Sequence, residues 1–161
     1  MPSLCFLVQC LHEENSDSRF RGTGVGIAVT EAGLPWKKGS VFFADPTDTR
    51  AAARVFDSRN RPDAIIAVND WIASLLLKTL KAIGKRVPDD VLLAGVNGDP
   101  VAEEAVPPLT TVVQPCHEIG ASAVSLMFER LVNHDLLPRE VFLTANLLAR
   151  ESTAPRRGSR K

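Results

Sequence analysis

The side chains equipped for chemistry in this sequence are arginines, amides and carboxylates that follow short apolar runs. Ser18, Arg19 and Arg21 come after the run at residues 4–8, and Asp45 and Thr47 after the run at 41–44. Asn69 and Asp70 come after 64–68, and Asn97 and Asp99 after 91–96. A guanidinium donates through a rigid fork, a carboxylate accepts, and an amide does both. Gathered on one rim, such groups suit a ligand rich in hydroxyls. They also suit a plainer duty, because loops after strands are polar and cap helices. Asp70 in particular is placed to cap the helix it opens.

No catalytic set accompanies them. Gly22-Thr-Gly24-Val-Gly26 approaches a dinucleotide fingerprint, but Ile27 stands where a further glycine is needed. The stretch also lies about ten residues beyond its strand rather than directly after it. There is no Walker A sequence, nucleophile elbow or zinc-ligand cluster. His12, His117 and His134 are scattered, and the last two read as surface residues. No catalytic residue, metal site or cofactor is expected. Cys5, Cys10 and Cys116 lack metal-ligand spacing and read as reduced core thiols of a cytoplasmic protein.

The elements that must position the rim follow from periodicity. Strands are expected at residues 4–8, 41–44, 64–68 and 91–96, with short closing strands at 140–145 and 147–149. Helices are expected at 19–32, 48–56 (capped by Asp48 or Thr47), 69–83 and 115–132. The third helix is the clearest: Ile72, Leu75, Leu76, Leu80 and Ile83 fall on one stripe, and Gly84 ends it. Gly22, Gly24 and Gly26 weaken the first helix. Pro107 and Pro108 mark an extended crossing. Strand–helix alternation predicts an α/β fold, an open parallel sheet flanked by helices, with ligands bound beyond the carboxyl ends of the strands.

Composition narrows the function. The 161 residues suffice for one domain. Nineteen basic residues balance nineteen acidic ones, but four of the basic residues (Arg156, Arg157, Arg160 and Lys161) sit in the last six positions. The part before that basic, disordered tail is therefore mildly acidic, which argues against nucleic-acid binding by bulk charge. No apolar run is long enough to span a bilayer, so no membrane partner is expected, and the N-terminus does not read as a signal peptide.

Four segments, in order and correctly spaced, carry a resemblance: residues 62–70 (PDAIIAVND), 84–95 (GKRVPDDVLLAG), 107–115 (PPLTTVVQP) and 150–155 (RESTAP). Together they resemble the C-terminal half of the sensor domain of LacI/GalR-type bacterial transcription regulators, over residues 4–155. The resemblance implies one lobe of a periplasmic-binding-protein-like (type I) fold. It implies a small effector, a sugar or nucleobase, held in a cleft, and a homodimer that binds operator DNA only through a helix-turn-helix outside this chain. Its effector contacts map onto Arg19 or Arg21, Asn69, Asn97 and Gln114, with Asp99 nearby. It also implies that residues 115–133 form a helix that would pack on a first lobe. With that lobe outside the chain, the stripe Ile119, Ala123, Met127 and Leu131 is expected to be exposed.

Departures from the family pattern bear on the ligand. The family usually has Asp where Asn97 stands, so a neutral amide replaces an acceptor-only carboxylate. An aromatic that often stacks on the effector aligns near Pro46, so stacking is lost or passes to Phe43. Two other readings remain at this level. One is a piece of an exported sugar-binding protein of the same fold. The other is a flavodoxin-like enzyme, against which the carboxylates at Glu13, Glu14 and Asp17 stand where a phosphate would bind.

Overall fold

The computed structural model describes residues 4–8, 16–36, 40–58 and 61–154, with side chains from Arg19 onward. Apolar, β-branched runs form six strands: β1 (Leu4–Val8), β2 (Val41–Phe43), β3 (Ala64–Ala67), β4 (Leu92–Asn97), β5 (Thr110–Val113) and β6 (Asn146–Leu148). They make one sheet in the order β2-β1-β3-β4-β5-β6. The first five are parallel. The expected all-parallel sheet needs one correction: β6 runs antiparallel to β5, pairing Thr111 with Leu148. The chain returns from the same end of the sheet at which β5 exits, so the returning strand must run the other way. Of the two closing strands expected, only this one forms. Two elements were not expected, the short helix α4 and strand β5, which lie on either side of the proline pair. Thr110-Thr-Val-Val is a β-branched run that the prolines obscured.

Five helices connect the strands: α1 (Ser16–Glu31), α2 (Thr49–Asp57), α3 (Asp70–Ala82), α4 (Pro100–Glu104) and α5 (Cys116–Val132). Their starts follow from local chemistry. Asp48 caps α2, accepting from the N–H groups of Arg50 and Ala51, and Asn69 caps α3, accepting from Ile72 N–H. α1 tolerates its glycines because one is required. A Cβ on Gly26 would lie 2.8 Å from the Trp36 indole nitrogen, so the indole closes over a bare helix face.

The core sits between the sheet and α3. Ile65, Ala67, Ile72, Leu76, Leu80, Val91, Leu93 and Leu109 form one buried cluster. Burying a side chain such as Leu80 contributes about 1.5–3 kcal/mol. α3 packs on β4 and lies between α2 and α4. The hydroxyl of Thr79 on α3 donates to the Pro46 carbonyl at 2.7 Å, tying the helix to the loop after β2.

The Arg150-Glu-Ser-Thr segment closes the fold. It forms a single 3-10 turn (Glu151–Thr153) against the middle of the sheet. Ser152 is fully buried; its Oγ donates to the Leu93 carbonyl at 2.5 Å and accepts from Thr110 N–H at 2.8 Å. The Thr110 hydroxyl meets that of Thr153 at 2.7 Å and accepts from Arg150 N–H at 2.8 Å.

α5 behaves differently. None of its residues is buried. The expected stripe is open to solvent: Ile119, Met127 and Leu131 are large exposed apolar residues, and Ala123 is exposed as well. Cys116, at the first position of α5, is a free and exposed thiol, which corrects its reading as a core residue. Cys5 and Cys10 lie outside the described side chains, as does the basic tail. His117 and His134 are exposed, as expected. No helix among the described residues is long and apolar enough to cross a membrane.

Candidate functional site

From β1 the chain passes to β2 on one side of the sheet and then to β3 on the other. That reversal opens a crevice at the carboxyl ends of β1 and β3, the usual place for a ligand in such a sheet. α1 begins on the β1 side of this crevice and brings Arg21 across it. The Arg21 guanidinium donates through Nη1 to the Val68 carbonyl, just after β3, at 2.5 Å. Through Nη2 it donates to Asn97 Oδ1, at the end of β4, at 3.3 Å. The same Oδ1 accepts from Gln114 Nε2, just after β5, at 2.8 Å. Asn97 Nδ2 in turn donates to Asp99 Oδ2 at 3.3 Å. Groups from four neighbouring strand ends thus share one polar network.

The four side chains are partly exposed, so the network lies open at the rim, while Val68, which lends its carbonyl, is buried. Its acceptors toward Arg21 are neutral, a carbonyl and an amide oxygen. Among the side chains described from Arg19 onward, no carboxylate lies within ion-pair distance of Arg21. Asn97 Oδ1 serves two donors, which leaves its Nδ2 to donate, and the Asp99 carboxylate supplies an acceptor beside it.

The structure brings together Arg21, Asn97, Asp99 and Gln114. Arg19 is exposed on α1. Two positions along a helix is a rotation of roughly 200°, which points it away from Arg21. Asn69 is half-buried next to Val68, and its Oδ1 is committed to the α3 cap at 2.8 Å from Ile72 N–H. Asp45 keeps to its own turn, accepting from the hydroxyl and N–H of Thr47 at 2.7 and 2.8 Å. Those bonds hold its carboxyl below the usual carboxylate range. Pro46 is fully buried and offers no stacking face, whereas Phe43 is exposed.

Reading the sequence missed the role of Asp70. Asn69 caps the helix, and the Asp70 carboxylate instead takes the backbone N–H groups of Gly98 and Asp99. The signal was the pair itself, since a helix start needs one capping side chain and here has two candidates in a row. Among the described residues no cluster of His, Cys, Asp or Glu could hold a metal ion.

A family model described as a periplasmic binding protein-like domain matches residues 4–153. The chain is 33% identical over 153 residues to the HTH-type transcriptional repressor PurR of Photobacterium profundum, spanning 90% of this chain and 45% of that protein. It is 34% identical over 128 residues to the HTH-type transcriptional regulator CelR of Thermobifida fusca, spanning 78% of this chain and 38% of that one. Among solved structures, a complex of the regulator CelR with cellobiose superimposes with a TM-score of 0.78 at 29% identity, over 91% of this chain and 46% of that one. A LacI-type transcription regulator from Bifidobacterium animalis gives 0.76 at 29% identity, over 93% and 58%. The chain spans less than half the length of these two curated relatives.

Proposed function

Because the chain belongs to the periplasmic binding protein-like domain family, in the form carried by LacI-type transcription regulators, we propose that its rim senses a small polar effector. The effector is a sugar or a nucleobase. Its binding controls operator affinity through a helix-turn-helix headpiece outside these residues, in a cytoplasmic homodimer that catalyses no reaction. The observation that carries this reading is the Arg21–Asn97–Gln114 network. It gathers donors from several strand ends at the crevice where the strand order reverses. Asn97 Nδ2 and Arg21 donate to the ligand, Asp99 accepts from its hydroxyls, and Phe43 offers a stacking face. Asn69 borders the site.

PurR and CelR are regulators by name, which speaks against the transport reading. One solved relative is complexed with cellobiose and another carries bound ribose. Those two sugars, with adenine and guanine, form the test panel for thermal shift and calorimetry. At least one probe is expected to raise Tm in the wild type. Arg21→Ala and Asn97→Ala are then expected to weaken its binding by about 1–3 kcal/mol, roughly 5- to 150-fold, the cost of leaving a polar ligand group unpaired. A ligand that binds equally well to both variants would place the effector elsewhere.

A further inference from the structure

Asp70 is a fully buried acid that its own helix does not need. Asn69 already caps α3. Asp70 Oδ2 accepts from Gly98 N–H and from Asp99 N–H, each at 2.8 Å, across 28 and 29 residues of sequence. Its Oδ1 is buried without a hydrogen-bond partner among the described residues, and it lies over Gly95, where a Cβ would collide with it. Burying a carboxylate is costly unless donors and a favourable dipole compensate. Here two main-chain amides and the positive end of α3 do so. The charge is spent on the loop between β4 and α4, and that loop needs holding. Asn97 has φ 121° and Gly98 has φ 80°, the left-handed side that a residue with a side chain rarely adopts. Gly98 N–H has one further acceptor, the Thr111 hydroxyl at 3.2 Å.

We propose that Asp70 is a positioning residue of the effector site. By clamping the backbone of Gly98 and Asp99, it holds Asn97 in the left-handed conformation that presents its amide to Arg21 and Gln114, and it keeps the Asp99 carboxylate beside it. Its consequence for binding rests on the effector reading above; its effect on Asn97 does not.

The test is Asp70→Asn, which keeps the shape and removes the charge, with Asp70→Ser as a second variant that retains a single small acceptor. NMR reads the side-chain amide resonances of Asn97 and Gln114 and the exchange rates of the Gly98 and Asp99 amides, against core amides such as Ile66 and Leu93. Positioning predicts that the two side-chain amides shift or broaden, and that Gly98 and Asp99 exchange at least about tenfold faster relative to the core amides. For any of cellobiose, ribose, adenine or guanine that binds the wild type, Kd rises by about tenfold with little change in Tm. Unmoved Asn97 and Gln114 resonances, with exchange accelerated uniformly across the core, would overturn the proposal. So would a failure of both variants to fold, since Asp70 would then act on the fold as a whole. If none of the four probes binds the wild type, the effector reading fails on this panel and the NMR comparison still decides the role of Asp70.

Discussion

Helices α3 and α5 are both rich in apolar residues and meet opposite fates. α3 has 13 residues, seven of them buried, with Ile72 1% and Leu80 0% exposed. α5 has 17 residues and buries none; Met127 is 51% and Phe128 60% exposed. The difference lies in what each helix connects. α3 joins two adjacent parallel strands, so its crossover must lie on the sheet and bury a face there. α5 joins β5 to its antiparallel neighbour β6, a connection that imposes no such packing. Apolar content therefore marks a helix that can be buried, and topology decides whether this chain buries it. An uncovered apolar face of this extent is unusual on a monomer.

The largest expected effect tests that contrast directly. Leu80→Ala should cost about 2–5 kcal/mol in urea unfolding, whereas Leu131→Ala in α5 should change stability by no more than about 0.5 kcal/mol. Equal losses would mean that α5 is packed in solution. Next is Ser152→Ala, which removes the clip that returns the chain from α5 to β4 and leaves Thr110 N–H and the Leu93 carbonyl without their buried partner. A loss of about 1–3 kcal/mol is expected in the same assay. Smaller again is Asn69→Ala, which uncaps α3, at about 1 kcal/mol; a neutral result would show that Asp70 can take over the cap.

The smallest effect lies in the turn that follows α3. The hydrogen bond from the Arg86 side chain, helped by its backbone N–H, lowers the Asp90 carboxyl from its ordinary 3.8 to about 2. A depressed carboxylate contributes stability that is fully present above its unfolded value and is lost as the pH falls through the folded one. Between pH 3.8 and about 2 the wild type should therefore lose stability more steeply than Arg86→Ala. The difference should be slight, because the Asp90 side chain is 34% exposed and the pair is screened. Parallel acid-unfolding curves would show that the pair contributes nothing.

Much of this contrast could be read from residues alone. The stripe from Ile72 to Ile83 announced α3, and the resemblance anticipated the exposed face of α5. Strand-end placement picked out Arg21, Asn97 and Asp99, while Gln114 came only through the resemblance. What stayed hidden depends on distant partners. Arg19 and Arg21 are equivalent as residue types, and only the direction of α1 separates them. Asp70 looks like a cap until the β4 loop is laid against it. β5 was obscured because Pro107 and Pro108 suggested a bare crossing, and the direction of β6 depends on the side from which the chain returns.

The central claim is that the rim joining Arg21, Asn97 and Gln114 is the effector site. The most direct test is an NMR titration of the wild-type chain with cellobiose, ribose, adenine and guanine, following backbone and side-chain amides. One of these probes is expected to shift Val68, the Asn97 and Gln114 side-chain amides and the Arg21 guanidinium together, in a saturable way. Saturable shifts confined to other surfaces, with those groups unmoved, would contradict the claim.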